Sequence, residues 1–255
     1  MVDQITACIK TFERPEACHK AIAALRQYYP GLKIIVADDS QEASDFGDVE
    51  HIRLPYDTGL AAGRNALVEA CATPYALVMD DDMIINETVD LGVMLEALGN
   101  TSALVVGVEK KSGRFRNTGS MMRLYDGTLT FDRATNTGTC RGHRFVSCDF
   151  LPNFLLAGVD LFKRVRWDEQ FKCGGEHNDF FLRLILASDM KMPCALFYDM
   201  YFTDLASRPA GYDRKRADAG RDDATLFRRK WGIKNVVRWN DGITGKMDYE
   251  TGIAS

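Results

Sequence analysis

The sequence contains no apolar run long enough to cross a membrane. Its longest apolar stretches, Tyr75 to Met79 and Ala103 to Val108, have the length of strands. A membrane-spanning helix needs roughly 20 apolar residues. The first residues also lack the basic segment followed by an apolar one that a secretory signal has. We therefore expect no transmembrane segment and a cytoplasmic location, with peripheral membrane contact left open.

The chain also has no excess of positive charge. It carries 32 Lys and Arg residues against 36 Asp and Glu residues, which gives a formal net charge of -4 at pH 7. Proteins that bind a nucleic-acid backbone are usually basic, because they neutralise phosphates. The composition therefore argues against nucleic-acid binding and favours chemistry on small molecules.

Paired cysteines and paired histidines are absent as well. The seven cysteines include no Cys-x-x-Cys pair, and the four histidines show no pairing at the spacing of zinc ligands. An odd, scattered set of cysteines does not fit the disulfide framework of a small secreted domain. We therefore predict mostly buried thiols and no zinc site made of Cys and His residues.

What the sequence does contain is the pattern of an α/β fold in its first 110 residues. Short apolar strands alternate there with amphipathic helices, which is typical of βαβ units on a mostly parallel sheet with helices on both faces. The predicted strands are Ile5 to Ile9, Leu32 to Ala37, Ile52 to Leu54, Tyr75 to Met79 and Leu104 to Glu109. The predicted helices run from Pro15 to just before Pro30, from Thr58 to Ala72 and from Glu87 to Leu98.

The second half of the chain, from residue 111 to 255, has the pattern of an α+β fold. Its predicted elements are a hairpin of Met121 to Tyr125 and Thr128 to Phe131, a helix over Asn178 to Ser188, a strand over Cys194 to Tyr198 and a polar helix over Ala217 to Trp231. The charged stretch Asp204 to Arg221 is predicted to be a mobile loop. It could close over a diphosphate, meet another anionic ligand or simply be solvated. We expect both halves to form a single domain.

Three aspartates follow the apolar strand that ends at Met79. In isolation, Asp80, Asp81 and Asp82 would most often form a solvated acidic turn. At the end of a buried strand, however, adjacent carboxylates repel one another unless a cation lies between them. Ligands bind at the carboxyl ends of strands in open α/β sheets, and carboxylates coordinate divalent cations. The triplet therefore predicts a divalent cation that neutralises a diphosphate.

Two further polar clusters lie near helix starts. Arg64, in a run of small residues, could reach a phosphate or an acidic partner, or could be an ordinary exposed helical residue. Glu176 and His177 follow a glycine pair, where a carboxylate and an imidazole could take a proton from a hydroxyl. Asn178 and Asp179 are explained equally well as helix caps.

The order of these clusters resembles that of inverting GT-A glycosyltransferases of family 2. The matching elements are Ile9-Lys10-Thr11-Phe12, Asp38-Asp39-Ser40, Gly63-Arg64-Asn65, Asp80-Asp81-Asp82 and Gly174-Gly175-Glu176-His177. The resemblance implies a GT-A fold and a metal-dependent, inverting transfer of a hexose or N-acetylhexosamine from a UDP-sugar to a hydroxyl of a glycan or glycoconjugate. It also implies a nucleotide-sugar-binding half, 1–110, and an acceptor-binding and catalytic half, 111–255.

The same resemblance implies roles for individual residues on the donor side. Thr11 is expected near the nucleotide, Asp38 or Asp39 at the base or ribose, and Arg64 in the donor site. Asp80 and Asp82 match the two ends of the family's D-x-D motif, with Asp82 binding Mn²⁺ or Mg²⁺ directly and Asp80 contacting the ribose or the metal shell. Asp81, between them, is counted with the donor-binding residues. No histidine follows His177 as a further metal ligand, so water, Asp204 or a phosphate oxygen would complete the coordination.

The residue that accepts the proton is left open among three candidates. The segment Cys173 to Leu184 is similar to segments of β1,4-galactosyltransferases and of ganglioside β1,4-N-acetylgalactosaminyltransferases. His177 then stands where family 2 enzymes usually carry an aspartate base, so His177, Glu176 and Asp179 all remain candidates.

Two other classes of protein, phosphatases and binding modules without catalysis, are alternatives to a transferase. Aspartate-nucleophile phosphatases also place a D-x-D motif after a buried strand, but on the first strand, whereas here it follows the fourth predicted strand. A carbohydrate- or nucleotide-binding module without catalysis would have no use for an intact acidic triplet and a Glu176-His177 cluster. Both readings are therefore less favoured than a transferase.

Overall fold

A computed structural model describes residues 2–112, 115–117, 119–188, 190, 192–205 and 212–238, and only the backbone at 112, 115–117 and 212–218. The strands are β1 Ile5–Thr11, β2 Lys33–Asp38, β3 Glu50–Arg53, β4 Tyr75–Asp80, β5 Met83–Ile84, β6 Val105–Ser112, β7 Phe115–Asn117, β8 Ser120–Tyr125, β9 Thr128–Arg133, β10 Asn136–Cys140, β11 His143–Cys148, β12 Leu155–Gly158, β13 Cys194–Asp204 and β14 Asn235–Arg238. The helices are α1 Pro15–Tyr28, α2 Leu60–Ala70, α3 Leu91–Asn100, α4 Val159–Val165, α5 Glu176–Ser188 and α6 Tyr212–Trp231.

One large sheet forms the centre of the molecule, in the order β10-β11-β13-β6-β12-β4-β1-β2-β3. The strands β3, β2, β1 and β4 are parallel, and β6 and β13 are parallel to each other. Because β12 is antiparallel to both β4 and β6, the strands β6 and β13 point the same way as β4. The predicted mostly parallel α/β sheet is therefore confirmed, with β12 as a reversed strand inside it.

Helices cover both faces of this sheet, as the alternation along β4 requires. Ala76 and Val78 belong to one buried cluster, which also takes in side chains of α2, α4 and α5. Leu77 and Met79 belong to the other, with side chains of α1 and α3. Successive strand residues point to opposite faces, so a strand buried on both faces is apolar at nearly every position.

The strand order places a crevice beside β1. After β1 the chain builds β2 and β3 on one side, and β4 then pairs on the other side of β1. In open α/β sheets, ligands bind at such a reversal, outside the carboxyl ends of the strands. Thr11 ends β1, Asp38 ends β2 and Asp80 ends β4, so all three lie at this edge.

The second half contains more strands than the sequence predicts. The predicted hairpin is confirmed as β8 and β9, in which Tyr125 pairs with Thr128, and β14 joins it as a parallel third strand. The strands β10, β11 and β12 and the helix α4 were not predicted, because their short segments show neither a clear alternation nor a long apolar run. These three strands belong to the central sheet, as do the short strands β5 and β7, which were not predicted either. The strand β14, also not predicted, belongs to the sheet of the hairpin.

The prediction of a mobile loop from Asp204 to Arg221 is wrong over most of its length. Strand β13 continues to Asp204, well past the predicted end at Tyr198, and helix α6 begins at Tyr212. Residues 206–211 lie outside the described residues. Charge density and two glycines suggested a loop, but a polar helix that packs through only one side has the same composition.

The cysteines are free thiols, and all except the half-buried Cys173 are buried, as predicted. No helix in the described part of the chain is both long and apolar enough to span a membrane.

Asn65 fastens helix α2 to the turn that follows α4. Its side-chain amide donates to the carbonyl of Trp167 at 2.9 Å, and its Oδ1 accepts from the amide of the same residue at 2.9 Å. Asn65 is only 4% exposed, so these backbone groups have little access to water.

We expect Asn65→Ala to lower the free energy of unfolding by about 2 to 4 kcal/mol, because it leaves two buried backbone groups unpaired. Urea denaturation followed by circular dichroism measures the change. The control is Asn100→Ala at the exposed end of α3, where the expected change is within about 0.5 kcal/mol. Equal effects of the two substitutions would contradict this role for Asn65.

Candidate active site

Asp80 is held from two sides at the end of β4. Its Oδ1 accepts from Nη2 of Arg64 at 2.7 Å, and its Oδ2 accepts from Nδ2 of Asn153 at 3.0 Å. Asn153 reaches Asp80 because β12 runs antiparallel to β4 with Leu155 opposite Val78. Continuing that register by two residues brings position 153 beside position 80.

Arg64 joins Asp80 to Glu176, the first residue of the Glu176–His177 pair. Its guanidinium, 1% exposed, donates through Nη1 to Oε1 of Glu176 at 3.2 Å while Nη2 binds Asp80. Arg64 thus has acidic partners, one of the three alternatives that the sequence left open, and it is not an exposed helical residue. The acidic triplet and the Glu176 cluster lie far apart in sequence, and this single side chain brings them together.

Asp81 points inward beneath the edge of the sheet. It is 0% exposed, and its Oδ2 accepts from the hydroxyl of Thr11 at 2.7 Å while its Oδ1 is paired with Arg14. Burial raises the pKa of Asp81 to about 7, against the opposing effect of Arg14. The predicted donor-side residues Thr11 and Asp81 are therefore bonded to each other in the interior, where they fix the end of β1 against the end of β4.

Asp82 is the member of the triplet that retains a free oxygen. Its Oδ2 accepts from Nη1 of Arg14 at 2.7 Å, and its Oδ1 has no hydrogen-bond partner among the described residues. Burial raises the pKa of Asp82, and the negative charges of Asp80 and Asp204 raise it further. Asp204 itself is paired with Lys110 at 2.7 Å.

These residues fit a divalent cation only in part. Within the described ranges, no group of three or more His, Cys, Asp or Glu side chains is arranged to hold a metal ion. Asp82 offers an unbonded carboxylate oxygen, and the repulsion from Asp80 that raises its pKa is what a cation would relieve. The protein could therefore supply one or two oxygen ligands, as is common where substrate phosphates supply others.

A cleft of about 530 Å³ opens beside this edge of the sheet. That volume lies in the range of small-molecule sites. The rings of Phe12 and Tyr56 lie on its wall with their centroids 5.8 Å apart. The other lining residues are Lys10, Asp39, Asp57, Gly59, Leu60, Lys172, Cys173, Ala219 and Asp222.

The two aspartates at the end of β2 differ in position. Asp38 is 0% exposed, and its oxygens accept from the amide of Ser40 at 2.8 Å and from Nη1 of Arg53 at 2.8 Å. Asp39 lines the cleft, where it pairs with Lys10 and accepts from the amide of Gly59 at 2.8 Å. The geometry favours Asp39 over Asp38 for contact with a ligand.

The loop before Glu176 is tightly packed. Gly174 and Gly175 have φ values of +139° and +81°, which residues other than glycine rarely adopt. A Cβ on Gly174 would also lie 3.3 Å from the backbone of Gly220 in α6. The carboxylate of Asp223, also in α6, accepts from the amide of Cys173 at 2.5 Å. These glycines therefore allow close contact with α6. Glu176 begins α5, is 4% exposed, and accepts from the amide of Gly174 at 2.7 Å.

His177 faces an aromatic cluster. Its ring packs against those of Phe150 and Phe181, with centroids 4.7 and 5.0 Å away. Its Nε2 lies 2.6 Å from the carbonyl oxygen of Leu151 and must carry the proton of that hydrogen bond, since a carbonyl only accepts. Burial lowers the pKa of His177 to about 4, and the positive charge of Arg64 lowers it further. The imidazole is therefore neutral at pH 7.

Asp179 lies in a different charge network, toward α6. It is 0% exposed and binds Nε of Arg183 at 2.8 Å, Nζ of Lys230 at 2.6 Å and the indole nitrogen of Trp231 at 2.8 Å. The structure thus connects Glu176 with the acidic triplet and directs His177 and Asp179 toward packing and ion-pair partners.

Sequence reasoning missed two residues of this site. Arg14 neutralises Asp81 and Asp82, and a basic residue three positions after β1 was a signal that could have been weighed. Asn153 carried no such signal, because its contact with Asp80 depends on the register of a strand that was not predicted.

Comparison with known proteins identifies the family. The model of glycosyl transferase family 2 matches residues 6–151. The chain is 31% identical over 202 residues to beta-1,4 N-acetylgalactosaminyltransferase 2 of Mus musculus, covering 72% of this chain and 37% of the relative. It is 26% identical over 247 residues to beta-1,4 N-acetylgalactosaminyltransferase 1 of Homo sapiens, covering 89% of this chain and 45% of the relative. The chain belongs to glycosyl transferase family 2, and it spans less than half the length of these relatives.

Solved structures agree on the fold. S. aureus TarS superposes with a TM-score of 0.56 at 16% identity, covering 80% of this chain and 37% of TarS. TarS 1-349 in complex with UDP-GlcNAc superposes with a TM-score of 0.59 at 14% identity, covering 87% of this chain and 65% of that one. The likeness shows that the fold is of the GT-A type.

The lowered pKa of His177 predicts a specific acid sensitivity. Between pH 6.5 and about 4 the unfolded chain protonates this imidazole and the folded chain does not, so stability falls as the pH is lowered through this window. We expect His177→Gln, which keeps a donor for Leu151, to lose less stability than the wild type between pH 7 and pH 4.5.

Urea denaturation at the two pH values provides the measurement. The control is His19→Gln in α1, whose side chain is exposed. Its loss on acidification should match that of the wild type. A loss in His177→Gln as large as that of the wild type would rule out a buried neutral imidazole.

Proposed function

We propose that this protein transfers a hexose or an N-acetylhexosamine from a UDP-sugar to a hydroxyl of a glycan or glycoconjugate, with inversion at the anomeric carbon. The observation that carries the proposal is the buried guanidinium of Arg64, which binds Asp80 at 2.7 Å and Glu176 at 3.2 Å. This contact supports the proposal, because it joins the carboxylate of Glu176, which could accept a proton, to the acidic triplet. The relatives named N-acetylgalactosaminyltransferases favour an N-acetylhexosamine, and the TarS complex with UDP-GlcNAc favours a UDP-sugar.

The cleft is the proposed donor site. Its volume of about 530 Å³ suits a nucleotide, and its aromatic wall of Phe12 and Tyr56 offers apolar surface to a base. It lies at the carboxyl ends of β1 and β2, where the strand order reverses. We assign residues 1–110 to donor binding and residues 111–255 to acceptor binding and catalysis, with Lys172, Cys173, Ala219 and Asp222 of the second half completing the wall of the donor cleft.

Asp82 is the proposed principal ligand of Mn²⁺ or Mg²⁺, through the oxygen that has no partner in the described structure. When bound, such an ion would neutralise the charge that develops on the leaving diphosphate. Both oxygens of Asp80 already accept hydrogen bonds from Arg64 and Asn153, so its proposed role is to orient the site and contact the donor.

Glu176 is the proposed general base. It accepts the proton of the acceptor hydroxyl while that oxygen attacks the anomeric carbon, and the bond from this carbon to the diphosphate breaks as UDP leaves. His177 is a poorer candidate for the base, because its protonated nitrogen donates to the carbonyl of Leu151 and its ring packs against phenylalanine rings. Asp179 is a poorer candidate too, because its partners Arg183, Lys230 and Trp231 hold it toward α6, whereas Arg64 joins Glu176 directly to Asp80.

We expect Asp82→Asn to reduce sugar transfer at least about 100-fold, since it removes the charged ligand for the cation. Release of UDP from a panel of UDP-sugars, with and without added manganese, is the measurement. The control is Asp48→Asn, at a side chain 89% exposed. Undiminished activity of Asp82→Asn in the presence of manganese would contradict the proposed metal site.

The same assay separates the proposal from its rivals. A phosphatase would release inorganic phosphate, and an inert binding module would release nothing. A transferase releases UDP at the rate at which the sugar is transferred to an acceptor or to water.

We expect Glu176→Gln to lower kcat about 100-fold to 10,000-fold, as general-base removal does, while UDP binding changes little. Steady-state kinetics and calorimetric UDP titration measure the two effects separately. Glu42→Gln, at an exposed loop position, is the control. If kcat survives in Glu176→Gln but falls in His177→Gln, the assignment of the base passes to His177.

A further inference from the structure

Lys10 is a buried cation at the floor of the cleft. It lies on β1, is 2% exposed, and lines the cleft together with Phe12 and Asp39. Taking an ammonium group out of water is unfavourable unless partners replace its hydration. A lysine at such a position therefore needs a full set of acceptors.

The described protein supplies only part of that set. Nζ donates to the carbonyl oxygen of Thr11 at 2.6 Å and to the carboxylate of Asp39. An ammonium group carries three protons, so these bonds leave one N–H for a further acceptor. The remaining contact of Nζ is with the ring of Phe12, whose centroid is 6.0 Å away on the cleft wall.

Asp39 has capacity left as well. Its Oδ1 accepts from Lys10 and its Oδ2 accepts from the amide of Gly59. A carboxylate has about four lone-pair positions, so Asp39 can accept another hydrogen bond. Lys10 and Asp39 thus present a donor directly beside an acceptor on the same cleft.

Helix α2 is built to leave room for this lysine. A Cβ on Gly63 would lie 2.2 Å from Cδ and 2.3 Å from Cε of Lys10. Contacts that short do not occur, so a side chain at position 63 would displace the lysine stem. The glycine at this helical position is therefore explained by the path of Lys10.

A pyrimidine on the wall of Phe12 would meet this donor–acceptor pair with its edge. Uracil has a carbonyl oxygen, O4, next to the N3–H group, which complements a donor beside an acceptor. Cytosine has the opposite arrangement, with an amino group next to an unprotonated N3. A wrong pairing leaves buried polar groups without partners, and this is how hydrogen-bonding sites discriminate strongly.

We propose that Lys10 determines the base specificity of the donor site by donating its third N–H to O4 of uracil, with Asp39 accepting from N3–H. This inference rests on the proposed function, because it places the nucleotide of the donor in the cleft. It adds to the aspartate expected at the base a second, cationic residue that reads the adjacent carbonyl.

The test compares UDP, CDP and 4-thio-UDP by calorimetric titration in magnesium. Sulfur accepts hydrogen bonds weakly, so we expect wild type to bind UDP at least about tenfold more tightly than either analogue, the range of a hydrogen bond to a charged group. In Lys10→Met the preference for UDP over 4-thio-UDP should fall to within about threefold, whereas a preference over CDP should persist, because Asp39 still accepts from N3–H of uracil and cytosine has no such donor. Gly63→Ala, which displaces the lysine without removing it, should act in the same direction.

Lys172→Met is the matched control, because Lys172 lines the same cleft but pairs at the surface with Asp57 at 2.9 Å. It should weaken all three nucleotides equally and keep the preference. Thermal unfolding of each variant identifies those that fail to fold, and the wild-type comparison of UDP with 4-thio-UDP needs no variant.

The possible failures can be told apart. If wild type binds none of the nucleotides, the proposed function fails. If wild type binds UDP no more tightly than 4-thio-UDP, or if Lys10→Met loses affinity for all three nucleotides equally, the inference about Lys10 is overturned and the proposed function stands.

Discussion

The arrangement of the site depends on one buried ion-pair bridge, in which Arg64 binds both Asp80 and Glu176. Its guanidinium is 1% exposed, so little water is available to replace either bond. Removing it would leave two poorly solvated carboxylates facing each other, and breaking a buried pair is strongly destabilising for that reason. The planar fork of arginine can bind two carboxylates at once, which a lysine does with less geometric control. This bridge aligns the end of β4 with the start of α5.

Around this bridge, the other contacts offset the negative charge of the aspartates at the end of β4. Asp81 and Asp82 follow Asp80 directly, and Arg14 pairs with both. The contacts nevertheless leave Oδ1 of Asp82 without a partner in the described structure, and its carboxylate with a raised pKa. Among the described residues, five of the six carboxylate oxygens of the triplet have a hydrogen-bond partner and Oδ1 of Asp82 does not. The reason for expecting a cation thus moves from the number of aspartates to a single oxygen.

The sequence allowed the edge formed by the ends of β1, β2 and β4 to be predicted more completely than the surroundings of the Glu176–Asp179 segment. The strand before Asp80 is apolar on both faces, and a buried central strand is what such a run predicts. Which face of the site each residue of the Glu176–Asp179 segment would occupy could not be read in the same way. Those orientations are set by contacts with Leu151 and Lys230, which belong to distant elements. Periodicity reports burial along one element and carries no information about which distant partner is met.

The same limit explains why the first turns of α6 were predicted as a loop, although the rest of this helix was predicted as a helix. The contacts of α6 show why it matters. Asp223 accepts from the amide of Cys173, and the backbone of Gly220 lies against Gly174. The loop that leads into Glu176 is thus held by contacts with α6. Glu176 itself is held by its ion pair with Arg64. A general base works only if its oxygen is held within hydrogen-bonding reach of the proton it removes. The helix α6 is therefore part of what positions the proposed base. Ala219 and Asp222 of the same helix line the cleft that we propose as the donor site.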